Sequence, residues 1–251
     1  MKLPGLTTRT ARAGRNERLM RRAVAFAAGL TAMLALAQLA LAGTERAANM
    51  PSTVLAGYDF TYYIGVPGNV SAIIVVPKLN CTGTPSTGSA IDAGVGIQSV
   101  NSYARLALAC TPKGVASYTP SLVINGTTKN IASDTAKPGD TVVFAVSQSD
   151  TLDTVSVIDL THKFNATSNG SGSGTGQGIL AGDFPALSGG TTLPVPNFGT
   201  LAFTTAVTNG YPLGEPDSTY LQTDDLTVNT KVQIKTTTSA SNNEAFTTAY
   251  T

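Results

Sequence analysis

Tryptophan is absent from this 251-residue sequence, which also has a single histidine, two cysteines and only 12% charged residues. Zinc sites draw on several His and Cys ligands, so this composition predicts no metal site. The lone His162 also disfavours Ser-His-Asp and Cys-His catalysis, because both need a histidine base beside the nucleophile. A glycine-rich stretch, GSGSGTG at 170–176, is followed by no helical pattern and therefore predicts no phosphate site. We expect no cofactor.

The charge is unevenly distributed along the chain. Residues 1–42 hold seven basic side chains and one acidic one, whereas residues 43–251 hold nine basic and fourteen acidic ones, a net charge of −5. A nucleic-acid-binding domain is usually basic. The positive charge here is confined to the N-terminal segment, so we expect no nucleic-acid partner.

That N-terminal segment has the pattern of a helical signal peptide. Arg21 and Arg22 precede an apolar run at 23–42, which ends with the small residues that a signal peptidase requires. We predict a signal peptide at 1–42, a linker at 43–57 and one domain at 58–251. Secretion is the expected outcome. The alternative is a membrane anchor made by an uncleaved 23–42 segment, since twenty apolar residues can just span a bilayer. No other apolar span follows.

The rest of the chain predicts an all-β domain. Short runs of β-branched and aromatic residues alternate with Gly, Pro, Asn and Ser. We expect the segment 168–178 to be a loop because it is rich in Gly and Ser. The pattern favours a concanavalin-like or jelly-roll sandwich of two antiparallel sheets. Its predicted strands are 58–64, 69–76, 91–98, 103–110, 117–125, 141–147, 153–160, 177–183, 198–205, 226–236 and 245–250.

Cys81 and Cys110 are the only cysteines in the chain. In an oxidising compartment an even pair usually forms a disulfide. We therefore predict that these two residues are bonded.

An ordered series of short motifs runs through the predicted domain. VVPKLNC at 75–81 is followed by GVGI at 94–97 and by Cys110, and then by KPGDTV at 137–142, ILAGDFP at 179–185 and PNFGTLAF at 196–203. This series resembles the secreted glutamic peptidases, or eqolisins. The likeness extends from about residue 58 to the last strand. It implies a concanavalin-like sandwich in which one sheet is bent into a groove.

The resemblance also implies a catalytic pair in the groove, where a glutamate acts as acid and base on a water molecule and a glutamine polarises the oxyanion. The glutamate position falls on Gly178, or on Gln177 after a slip of one residue. Alignment on Cys110 places Arg105 or Leu106 at the glutamine position. Alignment on GVGI leaves Gln98 nearby. The three glutamates that follow the signal segment (Glu45, Glu215 and Glu244) all lie outside the relevant strand.

Asp183 is the acid best placed to replace the missing glutamate, because it lies in the correct predicted strand. It is five residues beyond Gly178, so strand alternation predicts that it points to the opposite face of the sheet. Asp92, Asp140 and Asp159 fit exposed turns or strand ends instead.

Three functions are compatible with this sequence. The first is a non-catalytic eqolisin relative that acts in extracellular binding or structure. The second is an active acid endopeptidase with a displaced acid, for example Gln98 paired with Asp183. The third is a carbohydrate-binding or adhesive module. The expected ligand is a peptide or a glycan, and the side chains that could line its groove are Tyr62, Tyr63, Tyr103, Arg105 and Tyr118. No oligomeric state follows from the sequence.

Overall fold

The computed structural model describes residues 50–60, 68–131, 136–172, 178–213, 221–228, 231–238 and 244–251. The predicted signal peptide lies outside these residues. Within them, no helix is both long enough and apolar enough to cross a membrane. The segment that we predicted as a linker contains strand residues, because residues 50–52 and 56–57 belong to strands.

The described part of the chain consists of strands and one short 3-10 helix, Gln98–Val100. In chain order the strands are β1 (Met50–Ser52), β2 (Ala56–Phe60), β3 (Asn69–Val75), β4 (Ser89–Ile97), β5 (Ser102–Cys110), β6 (Ala116–Ile124), β7 (Thr127–Asn130), β8 (Thr141–Ser147), β9 (Leu152–Asp159), β10 (Phe164–Ser171), β11 (Ile179–Pro185), β12 (Leu187–Ser188), β13 (Thr191–Thr192), β14 (Thr200–Thr208), β15 (Tyr211–Pro212), β16 (Leu221–Val228), β17 (Lys231–Thr238) and β18 (Phe246–Tyr250).

Backbone hydrogen bonds join most of these strands in one continuous path. Its order is β10-β9-β8-β3-β14-β18-β17-β16-β2-β11-β4-β5-β6-β7. Among the described strands, the pairs are antiparallel except for β1 beside β16. β12 and β13 form a separate two-stranded ribbon. The antiparallel all-β fold is thus confirmed, but the described strands form one path that folds over itself where we expected two separate sheets.

The path forms two layers that pack face to face. Strands β3, β8 and β9 contact β11, β4, β5 and β6 across the interior. Alternate residues of β8 point inward, so Phe144 is fully buried while its neighbours Val143 and Ala145 are half-buried. Phe246 of β18 links the layers, because its ring contacts both Tyr58 of β2 and Phe203 of β14 at centroid distances of 4.6 Å.

Three strand predictions need correction. The sequence at 164–171 forms β10, so the first four residues of the predicted loop, 168–171, belong to a strand. The short strand β7 was not predicted. The single strand predicted at 226–236 is a hairpin, in which β16 ends at Val228 and β17 begins at Lys231.

Cys81 and Cys110 form the predicted disulfide, with their Cα atoms 5.4 Å apart. The bond ties the segment that follows β3 to the end of β5. Among the described residues no cysteine is free. The bond closes a loop of 29 residues, for which chain entropy predicts roughly 3–4 kcal/mol of stabilisation.

Candidate functional site

The layer that contains β11, β4 and β5 has one face in the core and a second face, which we call the outer face. Ala93 and Val95 of β4 are fully buried in the core, as is Leu106 of β5. Because side chains alternate along a strand, Asp92 and Arg105 project from the outer face. Of the two positions that alignment on Cys110 gives for the expected glutamine, Arg105 therefore lies on the outer face, whereas Leu106 lies in the core.

Arg105 is held between two aromatic rings on the outer face. Its guanidinium carbon lies 3.9 Å from the ring centroid of Tyr103 and 5.2 Å from that of Phe184. The two rings meet edge to face at 5.7 Å. We call these three side chains the Arg105 stack. Their packing combines cation–π attraction with the burial of two aromatic rings.

Among the described residues, the Arg105 stack has one ionic partner. Arg105 Nη1 donates to Asp92 Oδ2 over 3.5 Å, at the long limit of a hydrogen bond. Burial raises the pKa of Asp92, and the positive charge of Arg105 opposes that shift only in part. Arg105 Nε is buried and has no acceptor among the described residues. The guanidinium group is therefore only partly neutralised by the residues that surround it.

A row of glycines crosses the outer face beside Arg105. Arg105 is in register with Gly94, which pairs with Gly182, which pairs with Gly57, and Gly57 pairs with Asp224 of β16. A Cβ atom on Gly94 would lie 2.1 Å from a backbone carbonyl oxygen of β5. This row therefore has no side chains between Arg105 and Asp224.

The position predicted for the catalytic glutamate is Gly178, directly before β11. Its φ of +72° is a left-handed conformation that favours glycine, and a Cβ there would lie 3.1 Å from both Cβ and Oε1 of Gln98. Gln98 also donates its backbone N–H to the Gly178 carbonyl over 2.8 Å. Gln98 thus packs against Gly178. Gln177, the other predicted position, lies outside the described residues.

Asp183 points into the core, on the face opposite to the outer one, as strand alternation predicts. It is in register with Ala93 and Ala56, both fully buried in the core. Burial raises the pKa of Asp183 to about 7. The nearby Thr248 hydroxyl opposes this rise in pKa only weakly. Neither carboxylate oxygen of Asp183 forms a hydrogen bond of regular geometry with a described residue. Asp183 and Gln98 therefore project from opposite sides of the sheet.

The structure also brings together two acids that the sequence did not single out. Asp59 of β2 and Asp224 of β16 lie on neighbouring strands, with Asp224 in register with Gly57. Burial, followed by the nearby charge of Asp224, raises the pKa of Asp59 to about 6. The two aspartates are 165 positions apart in sequence, so only the pairing of β2 with β16 shows their proximity.

The predicted groove-lining tyrosines have different locations. Tyr103 belongs to the Arg105 stack. Tyr118 instead lies in the core, where its hydroxyl accepts a hydrogen bond from the Leu79 N–H over 3.0 Å. This places Tyr118 outside any groove on the outer face. Tyr62 and Tyr63 lie outside the described residues.

Asp140, Asp159 and His162 form a cluster apart from the outer face. His162 Nδ1 lies 3.1 Å from Asp140 Oδ2 and 3.4 Å from Asp159 Oδ2. The two aspartates are buried, contrary to the expectation that they are exposed, whereas the histidine is exposed. Three such ligand atoms could hold a metal ion. However, both carboxylates already accept backbone N–H groups, those of Lys137 and of Thr161 and His162.

Those hydrogen bonds affect the titration of Asp159. Burial alone would raise its pKa, but the backbone N–H donors of His162 and Thr161 and the His162 side chain outweigh burial and lower the pKa of Asp159. Asp92 differs from these turn aspartates, because it lies inside β4 rather than at a strand end.

Comparison with known proteins gives a consistent result. A crystal structure of scytalido-glutamic peptidase with a transition-state analogue inhibitor matches with a TM-score of 0.56 and 17% identity over 79% of this chain and 100% of that chain. A structure of SCP-B, a member of the eqolisin family of peptidases, in complex with the tripeptide Ala-Ile-His, matches with a TM-score of 0.54 and 19% identity over the same shares.

Sequence identities of 17% and 19% show a shared fold and nothing further about function. Among curated proteins none matches the sequence. The model of the Peptidase A4 family, in contrast, matches residues 55–250, which includes every element from β2 to β18. By this match, the chain belongs to the Peptidase A4 family of glutamic peptidases, the eqolisins.

Proposed function

We propose that this protein is a secreted, non-catalytic eqolisin relative that binds extracellular peptides. The proposal is supported by the residues at the expected catalytic positions, since neither Gly178 nor Gln177 can replace the glutamate, and the candidates for the glutamine position are Arg105, Leu106 and Gln98. The eqolisin reaction needs a carboxyl group that exchanges a proton with water. An arginine remains protonated throughout the accessible pH range, and glycine has no side chain.

The backbone at Gly178 supports the same conclusion. A glutamate there would have to adopt a left-handed φ at a cost of about 1–2 kcal/mol. Its Cβ would also lie 3.1 Å from Gln98, so that Gln98 would have to shift by a few tenths of an ångström. A single substitution at Gly178 would therefore not rebuild the catalytic acid in a relaxed geometry.

The proposed ligand is a peptide because the fold is that of a peptidase family, and SCP-B, which shares this fold, is in complex with a tripeptide. The disulfide between Cys81 and Cys110 agrees with an oxidising, extracellular location. Secretion also follows from the signal-peptide pattern of residues 1–42.

One observation favours the second candidate, an acid endopeptidase with a displaced acid. Asp59 and Asp224 form a carboxylate pair in which the pKa of Asp59 is raised to about 6. When two neighbouring carboxyl groups have different pKa values, one can act as the general acid and the other as the general base. Asp183, in contrast, is fully buried in the core and cannot reach a substrate on the outer face.

A cleavage assay separates the two candidates. The purified protein is incubated with denatured protein substrates between about pH 2 and 6, and products are identified by mass spectrometry. We expect no cleavage. Cleavage that is lost in Asp59→Asn and retained in Asp150→Asn, a change at an exposed aspartate, would refute the non-catalytic proposal and assign the reaction to the Asp59 pair.

A further inference from the structure

We propose that Arg105 anchors a carboxylate group of the bound peptide, so that the protein selects acidic peptides. This inference rests on the proposed function, because it assigns the ligand class of the same outer face. Arginine presents a planar fork of N–H donors that matches a carboxylate with two parallel hydrogen bonds. A glutamine at this position, one of the alignments that the resemblance allows, would have no charge and could not make that ionic contact.

The Arg105 stack fixes the guanidinium before any ligand arrives. The guanidinium carbon lies 3.9 Å from the ring centroid of Tyr103 and 5.2 Å from that of Phe184. Both rings are less than a tenth exposed. Tyr103 in turn rests on Gly96, where a Cβ would lie 2.0 Å from its ring. A side chain clamped in this way loses little conformational freedom on binding, which favours affinity.

The donors of Arg105 are not fully used inside the protein. The described ion-pair partner is Asp92, through a contact of 3.5 Å, and the Tyr103 hydroxyl is an uncharged second partner, whereas strong ion pairs with carboxylates are bidentate at about 2.7–2.9 Å. The side chains of Arg105 and Asp92 are 23% and 20% exposed. A ligand carboxylate can therefore approach from solvent and replace or share the weak contact with Asp92.

Asp92 is then an internal competitor. It occupies the same guanidinium group that the ligand needs, and its negative charge repels an incoming carboxylate. Replacing Asp92 with asparagine should leave the size of the side chain unchanged while removing both effects. We expect Asp92→Asn to bind acidic peptides more tightly than the wild-type protein does.

The test measures peptide binding by fluorescence polarisation at neutral pH. Three fluorescein-labelled hexapeptide pools are used: one with a fixed central glutamate and an amidated C terminus, one with glutamine instead, and one with glutamine and a free C-terminal carboxylate. Preference for the first pool indicates a side-chain carboxylate, and preference for the third indicates the peptide terminus. We expect one of these acidic pools to bind about 10- to 100-fold more tightly than the neutral pool.

Variants assign the preference to Arg105. Arg105→Gln should remove the preference for the acidic pool, and Arg105→Lys, which keeps the charge but loses the planar fork, should retain only part of it. Lys235→Gln makes the same change of charge at an exposed position on β17 and should change nothing. Circular dichroism confirms folding, and Arg105→Lys decides the question if Arg105→Gln fails to fold.

The failures of the two proposals are distinguishable. If the neutral and acidic pools bind equally to the wild-type protein, the carboxylate anchor is refuted while peptide binding stands. If the acidic preference persists in Arg105→Gln and Arg105→Lys, the anchor lies elsewhere and the inference is also refuted. If no pool binds, the proposed peptide-binding function itself is wrong.

Discussion

Asp183 should make the protein less stable at neutral pH than in acid. Its carboxyl group is fully buried in the core, and burial raises its pKa from 3.8 to about 7. In the unfolded chain the same group titrates near 3.8. Between these two values the unfolded state is ionised while the folded state stays protonated, so the free energy of unfolding falls as the pH rises.

The size of the effect follows from the interval between the two pKa values. At 1.36 kcal/mol per pKa unit, the interval from 3.8 to about 7 corresponds to about 4 kcal/mol. The full contribution is retained below pH 3.8 and is lost by about pH 7. A typical domain is stable by 5–15 kcal/mol in total, so ionisation of Asp183 is a substantial fraction of the stability.

Asp183→Asn isolates this contribution, because asparagine has nearly the same shape and does not ionise. Urea unfolding of both proteins at about pH 3.5 and pH 7.5 gives the measurement. Any packing cost of the amide is the same at both pH values, so we expect the variant to gain about 4 kcal/mol relative to the wild-type protein between them. Asp150→Asn, at an exposed position, is the control. Parallel pH profiles for the wild-type protein and Asp183→Asn would refute the reasoning.

Three further predictions concern stability. Replacing both Cys81 and Cys110 with serine should lower the free energy of unfolding by roughly 3–4 kcal/mol, measured by urea unfolding, and an unchanged value would show that the bond is not formed. Gly182→Ala should lower the melting temperature strongly, because its Cβ would lie 2.0 Å from the Ala56 carbonyl oxygen; a melting temperature equal to that of the wild type would contradict this contact. Because the pKa of Asp159 is lowered in the folded state, its stabilising contribution is present at neutral pH and declines as the pH falls below about 4; Asp159→Asn should therefore be more destabilising at pH 7 than at pH 3 in the same assay, and an equal effect at both pH values would contradict the lowered pKa.

Strands in the interior were predictable because they carry apolar alternation. β8 was predicted with its observed bounds, since Val142, Phe144 and Val146 all point into the core. β10 was missed because it lies at the edge of the path, pairs with β9 alone and is largely polar along its length. Burial gives a strand its apolar signature, and an edge strand with little buried surface does not acquire it.

The site was partly predictable for a similar reason. Strand alternation assigned Asp183 to the face opposite Gly178, and alignment on Cys110 gave Arg105 or Leu106 as the residue at the glutamine position. In contrast, no local pattern connects Asp59 with Asp224, or Tyr103 with Phe184. These pairs depend on how β2, β16, β5 and β11 are ordered in the sheet, and that order is set by long-range packing rather than by neighbouring residues.

The two faces of β11 have different surroundings. Phe184 packs against Arg105 on the outer face, whereas the preceding residue, Asp183, points into the core. Asp183 and Arg105 lie on opposite faces of the layer, and strand β4 separates their strands, β11 and β5. Their substitutions should therefore act independently. Asp183→Asn should change the pH dependence of unfolding without altering peptide preference, and Arg105→Gln should alter peptide preference without changing that pH dependence. A double variant whose binding and stability changes do not add would show that β11 couples the core to the outer face.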